Sequence, residues 1–198
     1  MDKAFIGIHL ASGFNYALFD WRKDLSIKGY AEDAESCYQA VLREGFSPRQ
    51  IKIMASCRGT FPAMQLKERH HAEGVDAVLI QPPPSLAGVI ANQAFPANHI
   101  GMLGIGTVER DGQHYDSIRR LQNLPRSRGR LCLLVSEGDR TIPTDTEEQF
   151  RRAAVHAGPY YAIWERGTTT DTDPHLEEPL RKPEIYRRYT EFLAGRVP

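Results

Sequence analysis

The chain has 198 residues, which suits one domain with a substantial core. Its 41% hydrophobic and 25% charged residues are typical of a globular protein. A formal net charge of zero argues against a broad basic surface for nucleic acid or an anionic membrane.

No stretch approaches about 18 uncharged apolar residues, so the sequence predicts no transmembrane helix. Cysteines at positions 37, 57 and 132 form neither a disulfide framework nor a metal-binding pattern, and we expect no metal and no cofactor. The first residues lack the features of a signal peptide. We therefore expect a cytoplasmic protein, with export by a specialised route left open.

The first third of the chain predicts two helices and two strands. Residues 2–12 suggest the tail of an amphipathic helix ended by Gly13, with a strand as the alternative. Residues 15–21 form a short apolar run typical of a buried strand, and residues 22–29 are predicted as a loop. Residues 31–45 carry apolar side chains at helical spacing, with Gly45 as the stop. Residues 51–55 predict a strand.

The middle of the chain continues the alternation. Pro62 is expected to begin a helix that ends near residue 71, and residues 75–80 predict a strand closed by three prolines at 82–84. Residues 85–128 are less regular. They suggest a small cap or insert with short helices over 85–93 and 116–124.

The last third predicts strands over 131–136 and 160–164. A capping box over residues 144–147 opens a helix to about residue 156, and a polar loop covers 165–175. A final helix over 183–194 has an inward face of Tyr186, Tyr189, Phe192 and Leu193. Alternating strands and helices predict one α/β domain, 1–198, with a mostly parallel sheet and helices on both faces.

Residues 51–63 join a strand to a helix through a tight turn that holds Cys57. Small residues flank the turn, Ala55 before the cysteine and Gly59 after it. This segment resembles the nucleophile elbow of the α/β-hydrolase family, G-x-S-x-G-G. Ala55 replaces the first glycine, Cys57 the serine and Thr60 the final glycine, where we expect crowding to matter least. The alternative is an ordinary turn with a buried cysteine.

Two further segments carry the same resemblance. Residues 13–22 are similar to the family's G-[FY]-N-V-x-x-[FY]-D-x-R-G segment, with Lys23 in place of its last glycine. Residues 133–143 are similar to the strand and G-x-D-x-x-[IV]-P segment that carries the family's acid. The resemblance covers residues 3 to 195 and is nearest to the small esterase, monoacylglycerol-lipase and serine-aminopeptidase-like branch. A cysteine nucleophile is similar to that of the dienelactone hydrolases.

The resemblance implies a triad in the order nucleophile, acid, histidine. Cys57 would attack, Asp139 would orient His175, and the Arg58 N–H would support the oxyanion. The helix that follows Cys57 would favour its thiolate through the helix dipole. Asp139 as a simple loop cap and His175 as a solvated histidine among acidic neighbours remain the alternatives.

The implied function is an acyl hydrolase that acts on small esters, thioesters or lactones through an acyl-enzyme intermediate. A catalytically silent binding or interaction module with the same fold is the alternative, because the motif departs from the family at several positions. The strands that precede the family's first helix are not found, including the strand whose loop gives a second oxyanion amide. Three explanations stay open: a fragment or N-terminally shortened domain, residues 3–10 refolding as the strand, or a partner chain or homo-oligomer completing the sheet.

Other reactive residues receive structural interpretations. Cys37 and Cys132 are expected to be buried hydrophobic residues. His70 and His71 look like helix-end residues, which point different ways round a helix. The arginines between residues 119 and 130 are expected on a solvated surface, with an anion-docking role as the alternative.

Overall fold

A computed structural model describes residues 27–85, 116–124, 128–136, 146–155, 160–165 and 182–197, together with Ala17 and Leu180. The elements predicted over residues 2–12 and 15–21 lie outside these ranges, apart from Ala17, which is exposed and in no strand. The helix predicted over 85–93 also lies outside them beyond Ser85, as does the start of the capping box.

Four parallel strands form the described sheet in the order β1-β2-β3-β4. The strands are β1, Lys52–Ser56; β2, Asp76–Ile80; β3, Leu131–Ser136; and β4, Tyr160–Glu165. Each lies within one residue of its predicted bounds, because a buried parallel strand reads as a short apolar run between turn signals.

Five α-helices lie within the described ranges. They are α1, Ile27–Arg43; α2, Thr60–Arg69; α3, Ser117–Asn123; α4, Thr146–Ala154; and α5, Pro183–Leu193. The loop predicted over residues 22–29 is wrong at its end, because α1 begins one turn before the buried Ala31. Gly45 follows α1 with a φ of +93°, the left-handed stop that glycine adopts freely.

Alternate residues of β2 point to opposite faces of the sheet. Ala77 and Leu79 pack with α2, α3 and α4 in one cluster, whereas Val78 and Ile80 pack with α5 in another. The strands lie side by side in chain order, so each strand pairs with the one before it in the sequence. The described helices between these strands, α2, α3 and α4, pack together on one face, as the usual right-handed crossover predicts. The α/β class and the helices on both faces are confirmed.

The second face of the sheet is covered by α5, whereas α1 packs against α2. Tyr38 of α1 packs with Leu66 and Val75, which seats α1 against α2. The predicted inward face of α5 is confirmed with two differences: Ile185 is also buried, and Tyr186 is only partly buried. None of the described helices is long and apolar enough to cross a membrane.

Candidate active site

Cys57 lies where β1 turns into α2. The strand ends at Ser56, a single 3-10 turn spans Cys57–Gly59, and α2 begins at Thr60. Cys57 has a φ of +47° and is partly exposed. A left-handed backbone costs a residue with a side chain about 1–3 kcal/mol and persists only where its surroundings hold it. The tight turn expected from the sequence is therefore present, and the backbone of Cys57 within it is strained.

Thr60 stabilises this turn. Its side chain is fully buried, and its Oγ1 donates a 2.6 Å hydrogen bond to the carbonyl oxygen of Cys57. The prediction that Thr60 falls where crowding matters least is wrong, because α2 begins two residues earlier than predicted and carries this side chain inward. The residue that replaces the motif's last glycine thus holds the backbone of the cysteine.

The small residues at the turn face one another. A Cβ added to Gly59 would lie 3.8 Å from the Cβ of Ala55, an ordinary van der Waals contact, and Gly59 has a helical φ of −63°. The turn therefore needs a small side chain at residue 55 more than it needs glycine at residue 59.

The sheet directs the predicted triad segments to one edge. β1, β3 and β4 are parallel, so the chain leaves all of them on the side where Cys57 lies. Asp139 follows β3 and His175 follows β4, but both residues lie outside the described ranges. Arg58 follows Cys57 in the 3-10 turn, so its backbone N–H lies beside the thiol-bearing residue. The parallel topology supports convergence of the three segments at this edge.

Gln81 is a second residue with a left-handed backbone at this edge of the sheet, and no prediction from the sequence singled it out. It directly follows β2, the neighbour of β1, and its φ is +48°. The side chain is fully buried, and the backbone N–H donates to the Leu134 carbonyl oxygen at 2.8 Å. The available signal was a polar residue between an apolar strand and three prolines.

The other two cysteines fit the structural interpretation. Cys132 is fully buried in β3, and burial raises its pKa to about 12, so its thiol is a poor nucleophile. Cys37 lies partly buried on α1, and burial raises its pKa also.

The remaining candidates are structural too. His70 caps the end of α2 and binds Glu35 and Glu73, and no metal-binding group of histidine, cysteine or acidic residues occurs in the described ranges. Arg120 pairs with Glu68, and Arg130 pairs with Asp76. The surface interpretation of these two arginines is therefore replaced by a role in joining elements of the fold.

Comparison with known proteins gives the fold. No family model matches the chain, and no curated protein matches it. Solved structures do match: the esterase Pf2001 of Pyrococcus furiosus superposes with a TM-score of 0.66 at 15% identity, over 98% of this chain and 73% of that one. The chain has the α/β-hydrolase fold.

Two other solved structures with this hydrolase fold agree. An alpha-beta hydrolase of Vibrio vulnificus gives a TM-score of 0.60 at 19% identity, and a puromycin-hydrolyzing peptidase of Mycobacterium tuberculosis gives 0.57 at 18% identity. They cover 86% and 82% of this chain. The hydrolase-fold chain spans 57% of the Vibrio protein and 24% of the peptidase. At such identities the likeness concerns the fold.

Proposed function

We propose that this domain is an acyl hydrolase whose nucleophile is Cys57. The observation that carries the proposal is the left-handed backbone of Cys57 at a strand-to-helix turn on the carboxyl edge of a parallel sheet. A strained turn of this kind lifts a nucleophile out of the sheet so that a substrate can reach it. Similarity in fold to an esterase and a peptidase supports hydrolysis of an acyl bond.

The chemistry proceeds in two halves. In the first, His175 takes the proton of the Cys57 thiol, the sulfur attacks the acyl carbonyl carbon to form a C–S bond, and the bond to the leaving group breaks as His175 gives that group the proton. In the second, water attacks the thioester carbonyl carbon as His175 accepts the water's proton, the C–S bond breaks, and His175 returns the proton to the sulfur, which leaves the free thiol and the free acid. Asp139 orients His175 throughout.

The developing negative charge needs donors beside the turn. Arg58 directly follows the nucleophile in the 3-10 turn. Its backbone N–H is the proposed donor of a hydrogen bond to the negatively charged oxygen that forms during the attack. Small esters, thioesters and lactones are the proposed substrate class. A thiolate displaces their alcohol or thiol leaving groups more readily than it displaces the amine of a peptide.

A silent binding module is the second candidate. It is favoured by the departures at the turn, where Ala55, Cys57 and Thr60 stand in place of the motif's glycine, serine and glycine. A domain that binds a ligand without catalysing a reaction does not need the motif's serine or its glycines.

A panel of p-nitrophenyl esters of increasing acyl length tests the proposal. We expect turnover by the wild type, a loss of at least about 10³-fold in Cys57→Ala, and comparable losses in His175→Ala. Cys37→Ala is the matched control, since that cysteine is partly buried on α1 and should leave turnover unchanged. No turnover by the wild type, or turnover that survives Cys57→Ala, would exclude the proposed mechanism.

A further inference from the structure

Two residues other than glycine have a left-handed backbone in the described part of the chain, Cys57 at +47° and Gln81 at +48°. Cys57 follows β1 and Gln81 follows β2, and the last paired residues of these neighbouring strands are Ser56 and Ile80. Because adjacent strands lie about 5 Å apart, the two strained residues stand side by side at the carboxyl edge of the sheet.

The strain at Gln81 is held in place by the fold. Its backbone N–H continues the ladder to β3 through the 2.8 Å hydrogen bond to the Leu134 carbonyl oxygen, and its side chain is fully buried. Glycine would adopt this backbone without strain. The presence of glutamine instead of glycine at this strained position therefore indicates a role for the buried side chain.

The amide of Gln81 suits a place beside a nucleophile. It offers two N–H donors and one oxygen acceptor and carries no charge, so it can orient polar groups without opposing a thiolate. The buried prolines at 82–84 follow it directly, which makes this exit from β2 stiff. Strained residues of this kind cluster at functional sites.

We propose that Gln81 is a positioning residue for Cys57, whose buried amide forms the wall beside the sulfur and fixes the placement of the acyl group against it. This inference rests on the proposed function. Small errors in the placement of reacting groups lower the rate of the chemical step more than they weaken binding. Loss of the amide should therefore lower kcat more than it changes KM.

Two substitutions separate the amide from the backbone. Gln81→Gly keeps the left-handed turn and removes the amide, whereas Gln81→Asn keeps an amide on a residue that tolerates this backbone. We expect Gln81→Gly to lower kcat about tenfold with KM within about twofold, and Gln81→Asn to recover most of the rate. Alkylation of Cys57 by iodoacetamide, followed by mass spectrometry of its peptide, should slow in Gln81→Gly and recover in Gln81→Asn.

A folded Gln81→Gly variant with wild-type kcat and wild-type alkylation of Cys57 would overturn the inference. If Gln81→Gly does not fold, Gln81→Asp replaces it, because aspartate matches asparagine in shape without the amide nitrogen; equal rates for the two variants would then overturn the inference. If the wild type turns over no ester, the proposed function fails, and the alkylation rates alone decide the role of Gln81.

Discussion

His70 Nε2 lies 3.0 Å from both carboxylate oxygens of Glu35, which ties the end of α2 to α1. On the other side of the ring, Nδ1 lies 2.7 Å from Glu73, whose carboxylate also accepts a hydrogen bond from Tyr38. A neutral imidazole has a single N–H, so only the imidazolium can donate to both carboxylates. Burial lowers the pKa of His70, but the hydrogen bonds and charges of Glu73 and Glu35 outweigh it and raise the pKa above its usual value.

This arrangement predicts a pH-dependent contribution to stability. Since the folded pKa of His70 is raised, its stabilisation is fully present below the unfolded value of about 6.5 and is lost as pH rises through the folded pKa. We expect His70→Gln to be less stable by about 1–2 kcal/mol near pH 6, a value reduced because Glu73 is largely solvated. The difference should shrink as the pH rises through the raised pKa of His70.

Urea unfolding of the wild type and His70→Gln from pH 5 to 9 measures this difference. His71→Gln is the control, because Nδ1 of His71 lies 3.0 Å from the carbonyl oxygen of Glu68, which is an uncharged partner. A stability difference that is constant with pH, or that grows as pH rises, would contradict the interpretation.

Asp76, at the opposite edge of the sheet from Cys57, is expected to make a second pH-dependent contribution to stability. Its carboxylate accepts hydrogen bonds from Lys52 and from the side chain and backbone of Arg130. Burial raises the pKa of Asp76, but these hydrogen bonds outweigh it, so the pKa is lowered and the stabilisation is lost as pH falls below about 4. We expect Asp76→Asn to cost about 2–4 kcal/mol at pH 7, since it leaves two half-buried cations without their charge partner.

Chemical unfolding at pH 7 and pH 3.5 checks this prediction, with Arg187→Ala as the control. Arg187 pairs with Glu191 one helical turn away on the exposed face of α5, and such a pair contributes less than about 0.5 kcal/mol. Equal costs for Asp76→Asn and Arg187→Ala would mean that the cluster at the base of the sheet adds nothing beyond a surface pair.

The hydroxyl of Thr60 is expected to affect both the stability of the protein and the reactivity of Cys57. Thr60→Val keeps the shape of the side chain and removes the hydrogen bond to Cys57, so we expect a loss of about 1 kcal/mol of stability and slower alkylation of Cys57. Thr60→Ser retains the hydroxyl and should keep the alkylation rate. Unfolding curves and iodoacetamide rates measure both, and a Thr60→Val variant that alkylates like the wild type would show that the turn does not need this bond.

Two glycines predict opposite responses to alanine. Gly59→Ala places a methyl group in ordinary contact with Ala55 at a helical φ, so stability should stay equal or rise by up to about 1 kcal/mol. A Cβ at Gly129 would lie 2.0 Å from the carbonyl oxygen of Val75, so Gly129→Ala should cost about 3 kcal/mol or more. Thermal unfolding of the two variants tests the pair, and a similar midpoint for both would contradict the packing described.

Much of the fold was predictable because its signals are local. The strand bounds follow from apolar runs between turn residues, and the stop of α1 follows from Gly45. Prediction failed at the start of α1, which begins at Ile27 within the segment predicted as a loop. The tight turn at Cys57 was predicted from small residues at fixed offsets, whereas the roles of Asp139 and His175 remain predictions.

The sequence by itself determined the α/β class, the order of strands and helices, and the turn that presents Cys57, because periodicity and turn chemistry act within a few residues. Only the tertiary structure decided which polar side chains are buried. Lys67 illustrates this: it reads as a surface residue of α2, yet it is buried and donates to carbonyl oxygens of Val75, Gly129 and Arg130. The places of Lys67 and Gln81 depend on neighbours distant in sequence, such as Gly129 and Leu134, which no local pattern encodes.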